Sequence, residues 1–413
     1  MELQLDLSRE YGVVLEGGGA RGSYQIGAWK ALREAGVKIK GIAGASVGAL
    51  NGALMCMDDL ERAEDIWENI RYSHVMDVDD SLMEKVKRRD LKNIDFQSLL
   101  ADGRKLLKDG GFDVAPLRRL IQETVDEDRI RKSDRELFVS TISLTDFKPL
   151  VVNVKELPEE EISDMLLASA YFPAFKMERL GGKYYTDGGG ANNVPVDVLA
   201  DRGYRDIIII RIYGLGLDTE RFFTAPEEVH VYHIAPRQSL GGILEFDRKR
   251  ARRNLMLGYL DGKRMLYGLS GKRYYLDAPG GEAYYLDKML SEIHFLQELL
   301  KKGPLFWKEA DESWDEEEGE LIQESGPGWE AALFPELDVP EDCGYRFYTE
   351  QLFPSLAAQW KLRVDWDYKE LYLMFLEQMA RRLRISRFQV YTVEELLLKI
   401  HQKARSLDSG FQI

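Results

Sequence analysis

The chain has 413 residues, 45% of them apolar, with 56 Lys and Arg against 71 Asp and Glu, for a formal charge of −15. At roughly 150 residues per domain this length fits two or three domains, and the apolar share excludes disorder for most of the chain. The acidic total argues against broad nucleic-acid binding, Cys56 and Cys343 cannot build a disulfide framework, and no run approaches the roughly 18 apolar residues of a membrane span.

The acidic start at 1–10 lacks the positive charge and apolar run of a secretory signal, so a cytoplasmic protein is expected, with peripheral membrane contact left open. From Tyr11 to about Asp201, short β-branched runs alternate with helical patterns, the rhythm of an α/β domain on a mainly parallel sheet. Strands are predicted at 11–15, 38–43, 137–144 and 207–212, and the four isoleucines at 207–210 fit a strand buried on both faces. Between the first two, Ala28, Ala31, Leu32 and Ala35 share a helix face that Gly36 ends, completing a βαβ unit. The charged, helix-like stretch 72–133 interrupts this rhythm as an inserted cap would. Beyond Ile234, residues 245–269, 286–302 and 365–384 read as helices. The last carries Tyr368, Leu371, Tyr372, Phe375, Met379 and Leu383 as an apolar stripe, a spacing that packs inside a core more readily than it anchors a membrane. Residues 309–324 hold nine acidic residues and no basic one, and with Gly326-Pro327-Gly328 they read as a solvated linker.

Three motifs could carry chemistry. In Val13-Val14-Leu15-Glu16-Gly17-Gly18-Gly19-Ala20-Arg21-Gly22 a strand runs into a glycine loop that opens a helix, so its amides can converge on a phosphate or on the oxyanion of an attacked ester. Gly17, Gly19 and Gly22 also have the spacing of a dinucleotide fingerprint, but 36–57 contains no acid to hold a ribose and no Lys-Ser/Thr follows the loop. Gly44-Ala45-Ser46-Val47-Gly48 has the form of a nucleophile elbow, whose small neighbours allow a sharp turn that lifts the serine hydroxyl above the sheet edge. A base could come from His74, His230, His233, His294 or His401. His230 and His233 follow Asp187 in the order Ser, Asp, His, yet only a short segment precedes Ser46 and the strand-like run 229–234 favours structural roles for both. The third motif, Tyr184-Tyr185-Thr186-Asp187-Gly188-Gly189-Gly190, ends a short strand in an acid. Desolvated at the sheet edge, that acid could take the serine proton directly; otherwise it is an Asp-Gly turn.

Together these motifs, in this order, with Leu167-Ala168-Ser169-Ala170-Tyr171-Phe172-Pro173-Ala174-Phe175 before the acid and Asn192-Asn193-Val194-Pro195 after it, resemble the patatin-like phospholipase family. The resemblance runs from about residue 10 to 215. It implies a three-layer α/β/α fold with a mainly parallel central sheet, to which the periodicity adds a helical C-terminal region. The expected organisation is a catalytic domain at 1–215 with 72–133 as its insertion, an extension packed on it at 216–300, and a helical region at 301–413 containing the acidic linker 309–328. It further implies a serine lipid acyl hydrolase acting on phospholipids or related acyl lipids, with Ser46 as nucleophile, Asp187 as base and the amides of Gly17, Gly18 and Gly19 as oxyanion hole. Arg21 fills the family's arginine position, either touching substrate or pairing with a nearby carboxylate. This chemistry calls for no metal and no cofactor. The alternative is a phosphate- or nucleotide-binding module in which the glycine loop holds the anion and Ser46 is inert. The basic run 247–253 could attract anionic head groups, but a solvated helix face paired with acids such as those of 309–324 is favoured. The sequence carries no signal for an oligomeric state.

Overall fold

From Tyr11 to Leu15 every side chain of the first strand is buried, as a strand covered on both faces requires. The computed structural model describes residues 1–80, 83, 111–301 and 344–409, and the chain divides into two units, Glu2–Tyr267 and Gly268–Ile413 together with Met1. In the first unit, β1 (Glu10–Leu15), β2 (Lys38–Ala45), β3 (Glu136–Ser143), β4 (Lys148–Asn153), β5 (Tyr185–Asp187), β6 (Asp206–Ile210) and β7 (His230–Ile234) form a seven-stranded sheet. Its order is β4-β3-β2-β1-β6-β7, with β5 also on β3. All pairings are parallel except those of β4 and β5 with β3. The four runs predicted as strands correspond to β1, β2, β3 and β6, and the run at 229–234 to β7. Strand β4 was not expected. Pro149 interrupts its pattern, which an edge position tolerates because no ladder N–H is needed on the open side.

Helices α1 (Ser23–Glu34), α2 (Val47–Cys56), α3 (Leu60–Glu68), α4 (Ala115–Thr124), α5 (Glu127–Lys132), α6 (Ile162–Ser169), α7 (Val196–Asp201) and α8 (Arg248–Tyr267) accompany the sheet. The strand period of two sorts the apolar side chains onto two faces. Val14, Ala43, Phe138, Ile207 and Ile209 pack with Val196 and Leu199 of α7. On the opposite face α2 lies so close that a Cβ at Gly52 would come within 2.8 Å of Leu137 and 3.1 Å of Ile42. Helices on both faces of a mainly parallel sheet make the three layers expected.

Helix α8, predicted at 245–269, belongs to this unit because it meets α1 backbone to backbone. A Cβ at Gly27 would stand 1.8 Å from the Leu255 carbonyl oxygen, and one at Gly258 would stand 1.9 Å from that of Tyr24. Tyr24 Oη donates to the buried Asp261 at 2.8 Å across the same contact. The unit therefore continues beyond residue 215 to Tyr267.

In the second unit, α9 (Glu282–Lys301), α10 (Phe353–Gln359), α11 (Tyr368–Arg382) and α12 (Val393–Ser409) surround an aromatic core with Tyr285, Phe353, Tyr372, Phe375 and Tyr391 fully buried. The apolar stripe of the 365–384 helix is thus core. A two-stranded parallel sheet, β8 (Tyr275–Asp277) with β9 (Val390–Thr392), completes this unit and was not anticipated. The linker 309–328 and Cys343 lie outside the described residues, as does most of 81–110. No helix among the described residues is long and apolar enough to cross a membrane.

The α1–α8 contact gives a direct test. Gly258→Ala gains about 1 kcal/mol of helix propensity but forces a methyl group into a carbonyl, an overpacking that costs about 1–3 kcal/mol or more. The urea midpoint of the first unit should fall. Gly242→Ala, where a Cβ would make only an ordinary 3.6 Å contact, should leave it in place.

Candidate active site

Two strands share one edge of β3. Strand β2 runs along it as far as Ala45, opposite Ser140, and β5 takes over with Asp187 opposite Thr141. Strand β4 occupies the other edge over the same residues. Ser140 and Thr141 are consecutive, so the end of β2 and the end of β5 abut, and Ser46 Oγ donates to Asp187 Oδ2 at 2.6 Å. Ser46 turns between β2 and α2 with φ 54° and ψ −127°, a conformation that costs a non-glycine residue about 1–3 kcal/mol. The flanking glycines make that turn possible. A Cβ at Gly48 would stand 2.2 Å from the Leu15 carbonyl oxygen, and one at Gly44 would stand 2.5 Å from that of Gly48.

Asp187 keeps a partly open side toward a cavity while protein crowds it elsewhere, and burial pushes its carboxyl above the ordinary carboxylate value. The bonds it accepts from Ser46 and from Gly189 N–H, the latter at 2.8 Å, pull the other way with less effect.

Gly17, Gly18 and Gly19 line the same cavity. Their amides are not equivalent. Gly17 N–H, expected with the other two as an oxyanion donor, donates to the Asn193 carbonyl at 3.3 Å. The N–H groups of Gly18 and Gly19 have no acceptor among the described residues. Val47, at the positive end of α2, also lines the cavity. The loop is braced from below. The buried Glu16 carboxylate accepts from the N–H groups of Ile212 (2.7 Å), Tyr213 (2.9 Å) and Gly214 (3.2 Å) and from Arg211 Nε at 3.1 Å. Asn193 Nδ2 donates to the Gly17 carbonyl at 3.2 Å. Sequence reasoning assigns no role to Glu16, Arg211 or Asn193. The available signal was Arg211 directly after four buried isoleucines, a position where a charge needs a buried partner.

The cavity measures about 500 Å³ and is overwhelmingly apolar, with Leu50, Leu54, Trp67, Met76, Phe112, Leu117, Ile121, Phe172 and Phe175 among its walls. Met76, Phe112, Leu117 and Ile121 come from the described parts of the 72–133 insertion. Arg21 is not among the lining residues. Its guanidinium donates to the carbonyls of Gly241 (2.8 Å), Ile212 (3.4 Å) and Tyr213, so it ties loops together through carbonyl oxygens, neither reaching into the cavity nor bonding a carboxylate. No histidine lines the cavity among the described residues. His230 and His233 lie on β7 at the far edge of the sheet, where His233 pairs with Glu220. The basic run finds partners nearby: Arg250 with Glu245 at 3.5 Å, Arg248 with Asn69 at 2.9 Å and Arg253 with the Ser239 carbonyl at 3.0 Å. The phosphate-binding alternative gains no support, since no Lys or Arg lines the cavity among the described residues and the Asp187 carboxylate faces the space a phosphate would occupy.

Residues 13–200 match the family model of the Patatin-like phospholipases. Over 201 residues, 49% of this chain, the sequence is 28% identical to the neuropathy target esterase sws of Drosophila melanogaster, of which the match covers 13%. Over 50 residues, 12% of this chain, it is 58% identical to the lysophospholipase nte1 of Aspergillus terreus, covering 3% of that protein. The chain thus matches only a small part of the length of these relatives. Among solved structures, VipD from Legionella pneumophila aligns over 98% of this chain and 92% of its own with 13% identity and a TM-score of 0.35, a likeness too loose to carry an argument.

The raised pKa of Asp187 has a consequence for stability. The folded protein holds the Asp187 proton more tightly than an unfolded chain, whose aspartates titrate near about 3.9, so this residue's contribution becomes less favourable as pH rises through the raised value. Asp187→Asn removes the buried charge and should melt above the wild type at about pH 8, the gap closing toward about pH 4. Thermal melts across that range in which the variant is the less stable at high pH would contradict the assignment.

Proposed function

We propose that the patatin-like phospholipase domain at residues 13–200 makes this chain a carboxylic ester hydrolase of acyl lipids, working through a dyad of Ser46 and Asp187. The observation that carries this reading is the 2.6 Å hydrogen bond from Ser46 Oγ to Asp187 Oδ2 at an apolar cavity with two unengaged amides beside it. A cavity of about 500 Å³ falls within the roughly 300–1,000 Å³ typical of small-molecule sites. Walls without a cation among the described residues suit an acyl chain, with the polar head outside.

The ester carbonyl lies over Ser46 with its oxygen toward Gly18 and Gly19. Ser46 Oγ attacks the carbonyl carbon, and its proton passes to Asp187, whose raised pKa makes it a stronger acceptor than a solvated aspartate. The carbonyl oxygen becomes an oxyanion, stabilised by the two amides and by the positive end of α2. Collapse of the tetrahedral intermediate breaks the bond to the alcohol or lysolipid, which leaves with the proton from Asp187. Water then attacks the acyl-serine, giving its proton to Asp187 as the carbonyl oxygen again becomes negative. The fatty acid departs and Ser46 recovers its proton. Every step uses side-chain and backbone groups of this chain, with no cofactor. Contact with substrate is peripheral, at a lipid surface, and the buried free thiol of Cys56 fits a cytoplasmic setting.

Turnover of a medium-chain aryl ester and of a phospholipid, together with labelling by a fluorophosphonate, tests this reading. Ser46→Ala should abolish labelling and turnover, and Asp187→Asn should lower kcat by roughly 10²–10⁴-fold. Because the base acts ionised, kcat/KM should fall on acidification with a midpoint above the ordinary carboxylate value of about 3.9. Comparable activity in either folded variant would overturn the dyad.

A further inference from the structure

The Ser46 hydroxyl has an evident partner in Asp187, but the backbone of Ser46 is held by another group. Its N–H donates to Ser169 Oγ at 2.9 Å, across 123 positions of sequence, and that hydroxyl donates in turn to the Ser140 carbonyl oxygen at 2.6 Å. Ser169 is the last residue of α6 and is fully buried. The neighbouring positions make a second stitch. Thr141 Oγ1 lies 2.9 Å from the Ala168 carbonyl oxygen and 3.2 Å from that of Thr186. The end of α6 is therefore joined to β3 at the two residues where β2 stops and β5 begins.

We infer that Ser169 is a positioning residue for the nucleophile, an inference that rests on the proposed esterase reading. A hydroxyl can accept from an N–H and donate to a carbonyl at once, which no apolar side chain can do. Here the two bonds reach the Ser46 N–H in a strained turn and the Ser140 carbonyl at the last residue of β3 paired with β2. Removing the hydroxyl takes this partner from the Ser46 N–H and from the Ser140 carbonyl together. The strained peptide at Ser46 is then free to rotate, and rotation carries Oγ off Asp187. The same anchor commits the Ser46 N–H to Ser169, leaving oxyanion binding to Gly18 and Gly19. This gives a physical role to the Ser169 of the 167–175 segment, which sequence reasoning recognised only as a pattern.

The test uses the full chain and measures the rate of fluorophosphonate labelling at Ser46 beside steady-state turnover of an aryl ester. Ser169→Ala should slow labelling and lower kcat by about 10- to 100-fold, the range expected for a displaced reacting group, with KM within about twofold of the wild type. Ser169→Cys keeps the volume but offers only a weak sulfur acceptor. It should behave like the alanine variant and carries the test if the alanine variant melts early. A thermally intact variant of either kind that labels within about twofold of the wild-type rate would overturn the positioning role alone. Wild-type protein that neither labels nor turns over the ester would instead overturn the esterase reading, and this inference with it.

Discussion

A single edge of β3 accepts two strands in succession, and the geometry of the site follows from where the first stops. Backbone N–H and C=O groups on a buried strand must be paired along their whole length. Once β2 leaves the sheet at Ala45, the remaining groups of β3 are taken by β5 running the opposite way. One strand then ends where the other ends, and the residues at those ends, Ser46 and Asp187, meet at 2.6 Å. The meeting inherits the stiffness of a hydrogen-bonded ladder, since Asp187 closes β5 and Ser46 is the first residue past β2.

Two carboxylates flank the glycine loop, and burial pushes both above the ordinary carboxylate value, but their partners differ. Glu16, beneath it, is buried and accepts from three backbone N–H groups and the Arg211 guanidinium, which offset its desolvation only in part and hold the loop against the 212–214 segment. Asp187, facing the cavity, has one hydroxyl and one amide N–H and, among the described residues, no cation. It has the fewer partners of the two, and it is also the one placed beside a hydroxyl. Burial without a counter-ion is unfavourable for stability, and it is the condition under which a carboxylate holds a proton well.

Much of this was legible in the sequence because it is written in local terms. Period-two β-branched runs gave β1, β2, β3 and β6, and the glycines flanking Ser46 and following Glu16 marked turns that no larger residue could make. Ser46 and Asp187 stand in local motifs that mark them in the sequence. What escaped was set by pairing at long range. Strand β4 carries a proline that only its edge position excuses, and the loss of the Gly17 amide to Asn193 depends on a fold-back from 176 positions away, as the neighbouring side-chain bond records. Arg21 illustrates the same limit. A charged residue in a glycine loop suggests contact with a ligand or an acid, whereas its actual partners are carbonyl oxygens on segments near 212 and 241, invisible to spacing.

The glycine-lined crossing of α1 and α8 bears on how the protein acquires its fold during synthesis. Strand β1 sits in the middle of the sheet, and β6, its partner on one side, and α8, which covers α1, are both encoded some two hundred residues later. A nascent chain that has released only the first βαβ unit leaves a sheet edge and an apolar helix face uncovered, the surfaces most apt to associate wrongly. The topology is dominated by distant contacts, which slows folding, and the first unit reaches its closed form only after residue 267 has left the ribosome.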